Sequence, residues 1–382
     1  MHLTTSVDLR RKARLVGLDL LRLFAVLLVL GRHIPIPAEN VRIPFRGVFE
    51  FWNQGGWVGV DLFFVLSGFL VSGLLFSEYQ AHGTISPWRF YVRRGWKIYP
   101  AFYVMIGVTL LYYARLGLNC PKLSVISELF FLQSYLPGIW NHTWSLAVEE
   151  HFYLLLPLLL VMLLKWNKNS PAPLRWVPIV AASVGVACLC MRIVRWETHP
   201  VYSHQANLFP THLRLDGLFF GVALSYFHHF HAMRFISLLK PWRHVLVVVG
   251  LAMLTPPFVR QITDPLMFTV GLTCFYVGGG LLLVGMLLCD PPRDGLTGWG
   301  LKRLAALGAY SYSIYLWHMP FLVWGVPLVR RAFGIPPGFL GAVGIYILGS
   351  LVWGVVMAKC IEMPALKLRD RWFPARVNAA SV

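Results

Sequence analysis

Residues 17–34 read GLDLLRLFAVLLVLGRHI. A helix crosses hydrocarbon with about 20 apolar residues, and this stretch has that length, with charge confined to Asp19, Arg22 and the Arg32–His33 pair. Comparable apolar segments begin near Trp57, Ile98, Trp144, Trp176, Thr211, Val245, Leu266, Leu304 and Gly338. The expected fold is therefore all-α: a polytopic membrane protein with about ten transmembrane helices. Ser124 to Leu136 is too short to cross and precedes Pro137-Gly138, so it is expected to be re-entrant or interfacial. Composition agrees. Of 382 residues, 57% are hydrophobic and only 13% charged, whereas soluble domains carry about 25% charge, which excludes a soluble globular chain. One membrane domain is expected over 1–382, without repeats or an appended soluble domain.

Arg10, Arg11, Lys12 and Arg14 precede the first helix, but Gly31-Arg32-His33-Ile34-Pro35 offers no small-residue cleavage site, so the helix reads as retained rather than as a signal peptide. Cytoplasmic loops are enriched in Lys and Arg. That rule puts both termini in the cytoplasm, with basic residues before the first helix, between Arg89 and Lys97, and after Lys359 on the same side. The net charge of +18 then follows from loops facing anionic lipid, without nucleic acid. The six cysteines lack paired C-x-x-C spacing, and the histidines lack an HExxH pattern, so no metal site is expected.

Charges inside spanning segments cost about 2.5–3.5 kcal/mol each on insertion scales, and they face a partner or a wet cavity. Arg22 and His33 are eleven residues apart, which places them within about 20° of one face and roughly 16 Å apart along the axis. Two readings fit: a polar face running along a pathway, or Arg22 paired with Asp19 while His33 ends the helix. Asp61 sits among Gly55, Gly56, Gly59 and Gly68, and needs a donor within the bundle. Arg93, Arg94 and Lys97 form a basic mouth suited either to phosphate or to simple anchoring. HTWSLAVEEHFY brings Glu149, Glu150 and His151 together; Arg214 and Asp216 end another helix, and His318 lies within SYSIYLWHMP.

Together these segments resemble acyltransferase family 3, integral membrane proteins that O-acylate surface polysaccharides and related acceptors. The resemblance is carried, in order, by Arg22 and His33, GVDLFFVLSGFL around Asp61, the run of Arg93, Arg94, Lys97 and Pro100, WSLAVEEHFY around Glu149, RLDGLFFG at Arg214 and Asp216, and YSYSIYLWHMP around His318. Two positions depart from the pattern: Lys97 stands where Arg is common, losing bidentate geometry, and His151 stands where Gln is usual.

The resemblance implies transfer of an acyl group, acetyl by preference, from cytoplasmic acyl-CoA as co-substrate, with no bound cofactor. The acceptor would be a hydroxyl of an extracytoplasmic glycan or lipid-linked oligosaccharide at the bacterial inner membrane. Arg93, Arg94 and Lys97 would hold the nucleotide, with Arg22 farther up the same channel, where it or a backbone amide would donate to the oxyanion of the tetrahedral intermediate as a catalytic group. His33 suits a general base, its reference pKa being near 6.5, and Glu149 would orient the imidazole as a triad's third group does. Asp61, Arg214, Asp216 and His318 are expected to support the site or bind acceptor. Direct transfer and an acyl-histidine intermediate both remain open, as does a partnership with a second envelope protein. The competing class is a transporter or flippase, which would place charges along a wet pathway without acyl transfer.

Overall fold

A computed structural model describes residues 2–38, 40–289, 295–334 and 338–374, and for 2–15 the backbone alone, so the side chains of Arg10, Arg11, Lys12 and Arg14 lie outside the described set. The described residues form helices and no strands. The first is α1 (His2–Arg32), followed by α2 (Arg46–Gly55), α3 (Gly59–His82) and α4 (Pro87–Arg115). The short α5 (Lys122–Leu129) leads to α6 (Trp144–Trp166), α7 (Val177–Thr198) and α8 (Leu215–Phe230). Next come α9 (Ala232–Leu239), α10 (Arg243–Met253), α11 (Leu272–Leu288) and α12 (Gly295–Gly308). The chain continues through α13 (Ser311–Pro320), α14 (Val326–Ala332), α15 (Phe339–Met357) and α16 (Met363–Trp372).

Six helical stretches among the described residues are long and apolar enough to cross a membrane: 46–82, 141–166, 177–198, 232–258, 267–288 and 339–372. The expected count of about ten is not reached. Polarity accounts for three of the segments that miss the criterion and length for the fourth: α1 carries Asp19, Arg22 and Arg32, α4 begins with its basic mouth and continues through Tyr99, Tyr103, Tyr112 and Tyr113, α13 is loaded with Ser311, Tyr312, Ser313, Tyr315 and His318, and α8 ends after 16 residues. The expected short segment does not cross: α5 has 8 residues, and the chain turns back at Phe131, whose φ is 56°.

Packing is that of helices in lipid, where close approach rather than a hydrophobic gradient holds neighbours together. α3 lies along α8 at a glycine crossing: a Cβ on Gly68 would fall 1.9 Å from the Leu218 carbonyl oxygen. α1 meets α12 at Gly308, where a Cβ would fall 1.7 Å from the Asp19 carbonyl oxygen. Phe64, Phe69, Phe102, Phe152 and Phe275 fill the interior, while Leu154, Leu158, Val186, Val248, Leu348 and Val352 are exposed, as lipid-facing positions should be. α1, α3, α4, α6 and α13 surround the polar residues.

Candidate functional site

Three imidazoles meet where α1, α6 and α13 converge. His33 follows the last turn of α1, and its Nδ1 is 3.0 Å from the Val29 carbonyl oxygen. His318, fully buried two positions before Pro320, places Nε2 3.3 Å from that same Nδ1, with ring centroids 5.0 Å apart. His142, in the turn that opens α6, lies edge-on to His318 at 4.9 Å and donates from Nε2 to the Leu316 carbonyl at 3.1 Å. Its position is set from below. Glu128 is fully buried and accepts from the Ile139 and Trp140 amides and the Thr143 hydroxyl at 2.9–3.1 Å, closing the 137–143 turn.

Tyr315 links this cluster to a cavity. Its hydroxyl donates to the His142 carbonyl at 2.7 Å and lies 2.6 Å from Ser145 Oγ, and its ring centroid is 5.7 Å from that of His318. Tyr315 and Ser145 also line a cavity of about 140 Å³ shared with Arg22, Ser67, Arg94, Lys97, Glu149 and Tyr312. One cavity of mixed polar and apolar lining therefore begins among cations and ends against the tyrosine that touches two of the histidines.

The cations do not act alike. Arg22 lines the cavity while paired with Asp19 at 2.8 Å, and His33 is not among the residues that line it. Arg94 bonds the Tyr153 hydroxyl and lies 4.1 Å over its ring; that hydroxyl donates to Glu149 at 2.5 Å and meets Ser67 at 2.6 Å. Lys97 pairs with buried Glu362, which also accepts from Ser313 at 2.6 Å. Arg93 points away from the cavity toward α16, to Asp370 at 3.2 Å and the Phe373 carbonyl. The basic triplet thus divides: Arg94 and Lys97 face the cavity, and Arg93 fastens the last helix.

Glu149 was expected beside His33. The structure gives it to Tyr153 and Arg94, nearly two helical turns beyond His142, and the group at His33 Nδ1 is His318. The following Glu150 accepts from Tyr99 at 3.0 Å, and His151 meets Thr211 at 2.7 Å. Asp61 and Arg214 bond each other at 2.8 Å, each nearly inaccessible; Arg192 bonds Asp216 at 2.6 Å and reaches Thr273 at 2.8 Å. These two pairs knit α3, α7, α8 and α11, and none of the four residues lines the cavity. Sequence reasoning missed His142, although it stands two residues before the quoted WSLAVEE run. It also missed Arg192 and Glu362, which lie inside apolar or mixed segments without a motif around them.

Among the described residues no group of three or more His, Cys, Asp or Glu is arranged to hold a metal ion. What the fold and site define is a helical membrane protein with a cavity lined by Arg22, Arg94 and Lys97 whose Tyr315 wall contacts two imidazoles of a cluster of three. The family model described as an acyltransferase domain, acyltransferase family 3, matches residues 15–359, and the chain belongs to that family. Among its relatives are the peptidoglycan O-acetyltransferase OatA of Listeria monocytogenes, 27% identical over 337 residues, covering 82% of this chain and 50% of the relative. The putative peptidoglycan O-acetyltransferase YrhL of Bacillus subtilis is 27% identical over 336 residues, covering 82% and 49%. The O-acetyltransferase OatA of Staphylococcus aureus strain NCTC 8325 is 27% identical over 331 residues, covering 81% and 51%. The chain spans about half the length of these curated relatives. No solved structure matches it.

Proposed function

We propose that the protein is a membrane-embedded O-acyltransferase that carries an acetyl group from cytoplasmic acetyl-CoA to a hydroxyl of a cell-envelope glycan, with His33 as general base. The observation that carries this reading is the cavity of Arg22, Arg94 and Lys97 that ends at Tyr315 and Ser145 against the imidazole cluster. The relatives' printed activities favour acetyl as the group and glycan as the acceptor. The basic mouth faces the cytoplasm in this reading, both termini lie on that side, and the membrane is the bacterial inner membrane.

Arg94 and Lys97 meet the anionic end of the donor, and Arg22 lies beside its pantetheine arm. Arg22 is roughly 16 Å along α1 from His33, so it acts on the donor's length and not on the oxyanion. At the far end His33 removes the acceptor's hydroxyl proton as the oxygen attacks the thioester carbonyl. A C–O bond forms, the tetrahedral intermediate collapses, the C–S bond breaks, and the CoA thiolate takes the proton back from His33. Asp61, Arg214 and Asp216 hold helices in place, and Glu149 with Tyr153 anchors Arg94 at the cavity.

The test supplies membrane vesicles with [14C]acetyl-CoA and a muropeptide acceptor. Alkali-labile label should appear on the muropeptide with the wild type and vanish with His33→Ala, whose folding is checked by fluorescence-detected size-exclusion chromatography. A transporter would move label across the vesicle without forming an ester, and unchanged transfer by His33→Ala would remove His33 from the chemistry.

A further inference from the structure

We propose that His318 is the positioning residue for His33: it fixes His33 Nε2 as the reacting nitrogen and takes up part of the positive charge that His33 gains. The inference rests on the reading of His33 as the base.

Hydrogen bonding in the cluster allows one assignment. A carbonyl oxygen only accepts, so His318 Nδ1, 2.5 Å from the Tyr315 carbonyl, carries a proton. In the neutral ring, His318 Nε2 then presents a lone pair, and that lone pair lies 3.3 Å from His33 Nδ1. Two lone pairs cannot face one another at that distance, so His33 Nδ1 carries the proton. The same proton is required by the Val29 carbonyl 3.0 Å away. Two independent acceptors thus select one tautomer, and they leave His33 Nε2 bare for an incoming hydroxyl.

The third imidazole braces the second. His142 donates from Nε2 to the Leu316 carbonyl, on the turn of α13 that carries His318, and packs edge-on against the His318 ring. By the same logic its Nδ1 is a lone pair, and among the described residues that buried atom has no partner.

When His33 becomes an imidazolium, its Nδ1–H bond to His318 becomes charge-assisted, and such bonds are roughly twice as strong as neutral ones. A triad normally gives this task to a carboxylate. Here no carboxylate among the described residues bonds His33 or His318. Glu149 is held by Tyr153, and the cation nearest in sequence, Arg32, donates to the Asn53 carbonyl. A neutral imidazole stabilises the transient cation without placing a permanent charge in the membrane interior, where insertion is costly.

The experiment compares wild type, His318→Gln and His318→Phe with [14C]acetyl-CoA and muropeptide, together with 15N-histidine NMR of the wild type in nanodiscs, with His33 assigned through His33→Ala. The side-chain oxygen of Gln can accept where Nε2 does, whereas Phe fills the space without accepting. Phe should lower kcat by roughly 10- to 100-fold, leave KM for acetyl-CoA unchanged, and move the acid limb of the kcat profile to lower pH, since the imidazolium has lost an acceptor. Gln should recover part of both effects. The wild-type spectrum should show His33 protonated at Nδ1 and bare at Nε2. A His33 ring bare at Nδ1 overturns the assignment, as does a Phe variant whose kcat and pH limb match the wild type or whose defect lies in KM alone. Absence of transfer by the wild type would defeat the acyltransferase reading, whereas the NMR result judges the tautomer independently.

Discussion

The Asp61–Arg214 pair offers a clear separation of architecture from chemistry. Both side chains are about 96–98% buried, their contact is 2.8 Å, and Arg214 lies 5.4 Å over Phe64 and 5.6 Å over Trp144. Among the described residues Asp61 Oδ2 and Arg214 Nε have no further partner. The pair is therefore incompletely compensated for leaving water, and removing both charges should harm the fold much less than removing one. Arg214→Met leaves Asp61 charged and unpaired, at a cost of about 3–5 kcal/mol. Adding Asp61→Asn replaces that penalty with an underbonded amide worth about 1–3 kcal/mol, while the Met stem still packs against the two rings. The double variant should thus regain about 2 kcal/mol, roughly 30-fold in the ratio of folded to unfolded protein. Unfolding of detergent-solubilised protein followed by the fluorescence of its 15 tryptophans reads this directly, and acetyl transfer is measured on the same samples. A double variant no more stable than Arg214→Met refutes the electrostatic argument. A stable double variant with KM for the muropeptide strongly raised would instead make these residues acceptor ligands.

Three other outcomes follow from the geometry. Burial pushes the Glu128 carboxyl up to about 7; a raised folded pKa means the fold prefers the protonated acid, so this group's contribution to stability falls as pH rises from ordinary carboxylate values through 7. Thermal unfolding of Glu128→Gln should lack that part of the decline, while Glu128→Ala, which loses three bonds to the His142 turn, should be less stable at every pH and transfer more slowly. Gly308→Ala should destabilise by at least about 1–3 kcal/mol, because its Cβ would meet α1 backbone 1.7 Å away; a thermal midpoint equal to wild type would contradict the close α1–α12 packing. Arg94→Lys should raise KM for acetyl-CoA through loss of guanidinium geometry, whereas Arg93→Lys should leave KM alone and loosen α16, seen as faster hydrogen exchange over 363–372.

Much of the helical layout was legible because apolar blocks of bilayer length leave few alternatives. The four segments expected to cross that do not qualify on length or apolarity are α1, α4, α8 and α13, and each carries or adjoins candidate residues: Arg22 and His33, Arg94 and Lys97, Arg214 and Asp216, His318. In α1, α4 and α13 the polar residues that line the cavity or lie beside it also lower the hydropathy, so the residues that mark the site obscure the span, whereas α8 falls short in length. Partnership was less legible. Spacing on α1 relates Arg22 to His33, but nothing in a linear chain states that His318 comes within 3.3 Å of His33 across 285 positions, or that Tyr153 claims Glu149. His142 shows the same limit: its motif was visible, but its closeness to His318 is a product of the Glu128-held turn.

The last helix gives the cation mouth an unusual starting condition. Glu362 already occupies Lys97, and Asp370 with the Phe373 carbonyl already occupies Arg93, while Arg89 donates to the Pro374 carbonyl at 2.7 Å. Under the proposed donor reading, an arriving polyphosphate would enter by anion exchange, displacing a tethered carboxylate from Lys97 instead of filling an open positive well. A competitor fixed in the same chain is present at constant effective concentration, so under that reading an anion that brings several charges at once would have the advantage over one that brings a single charge.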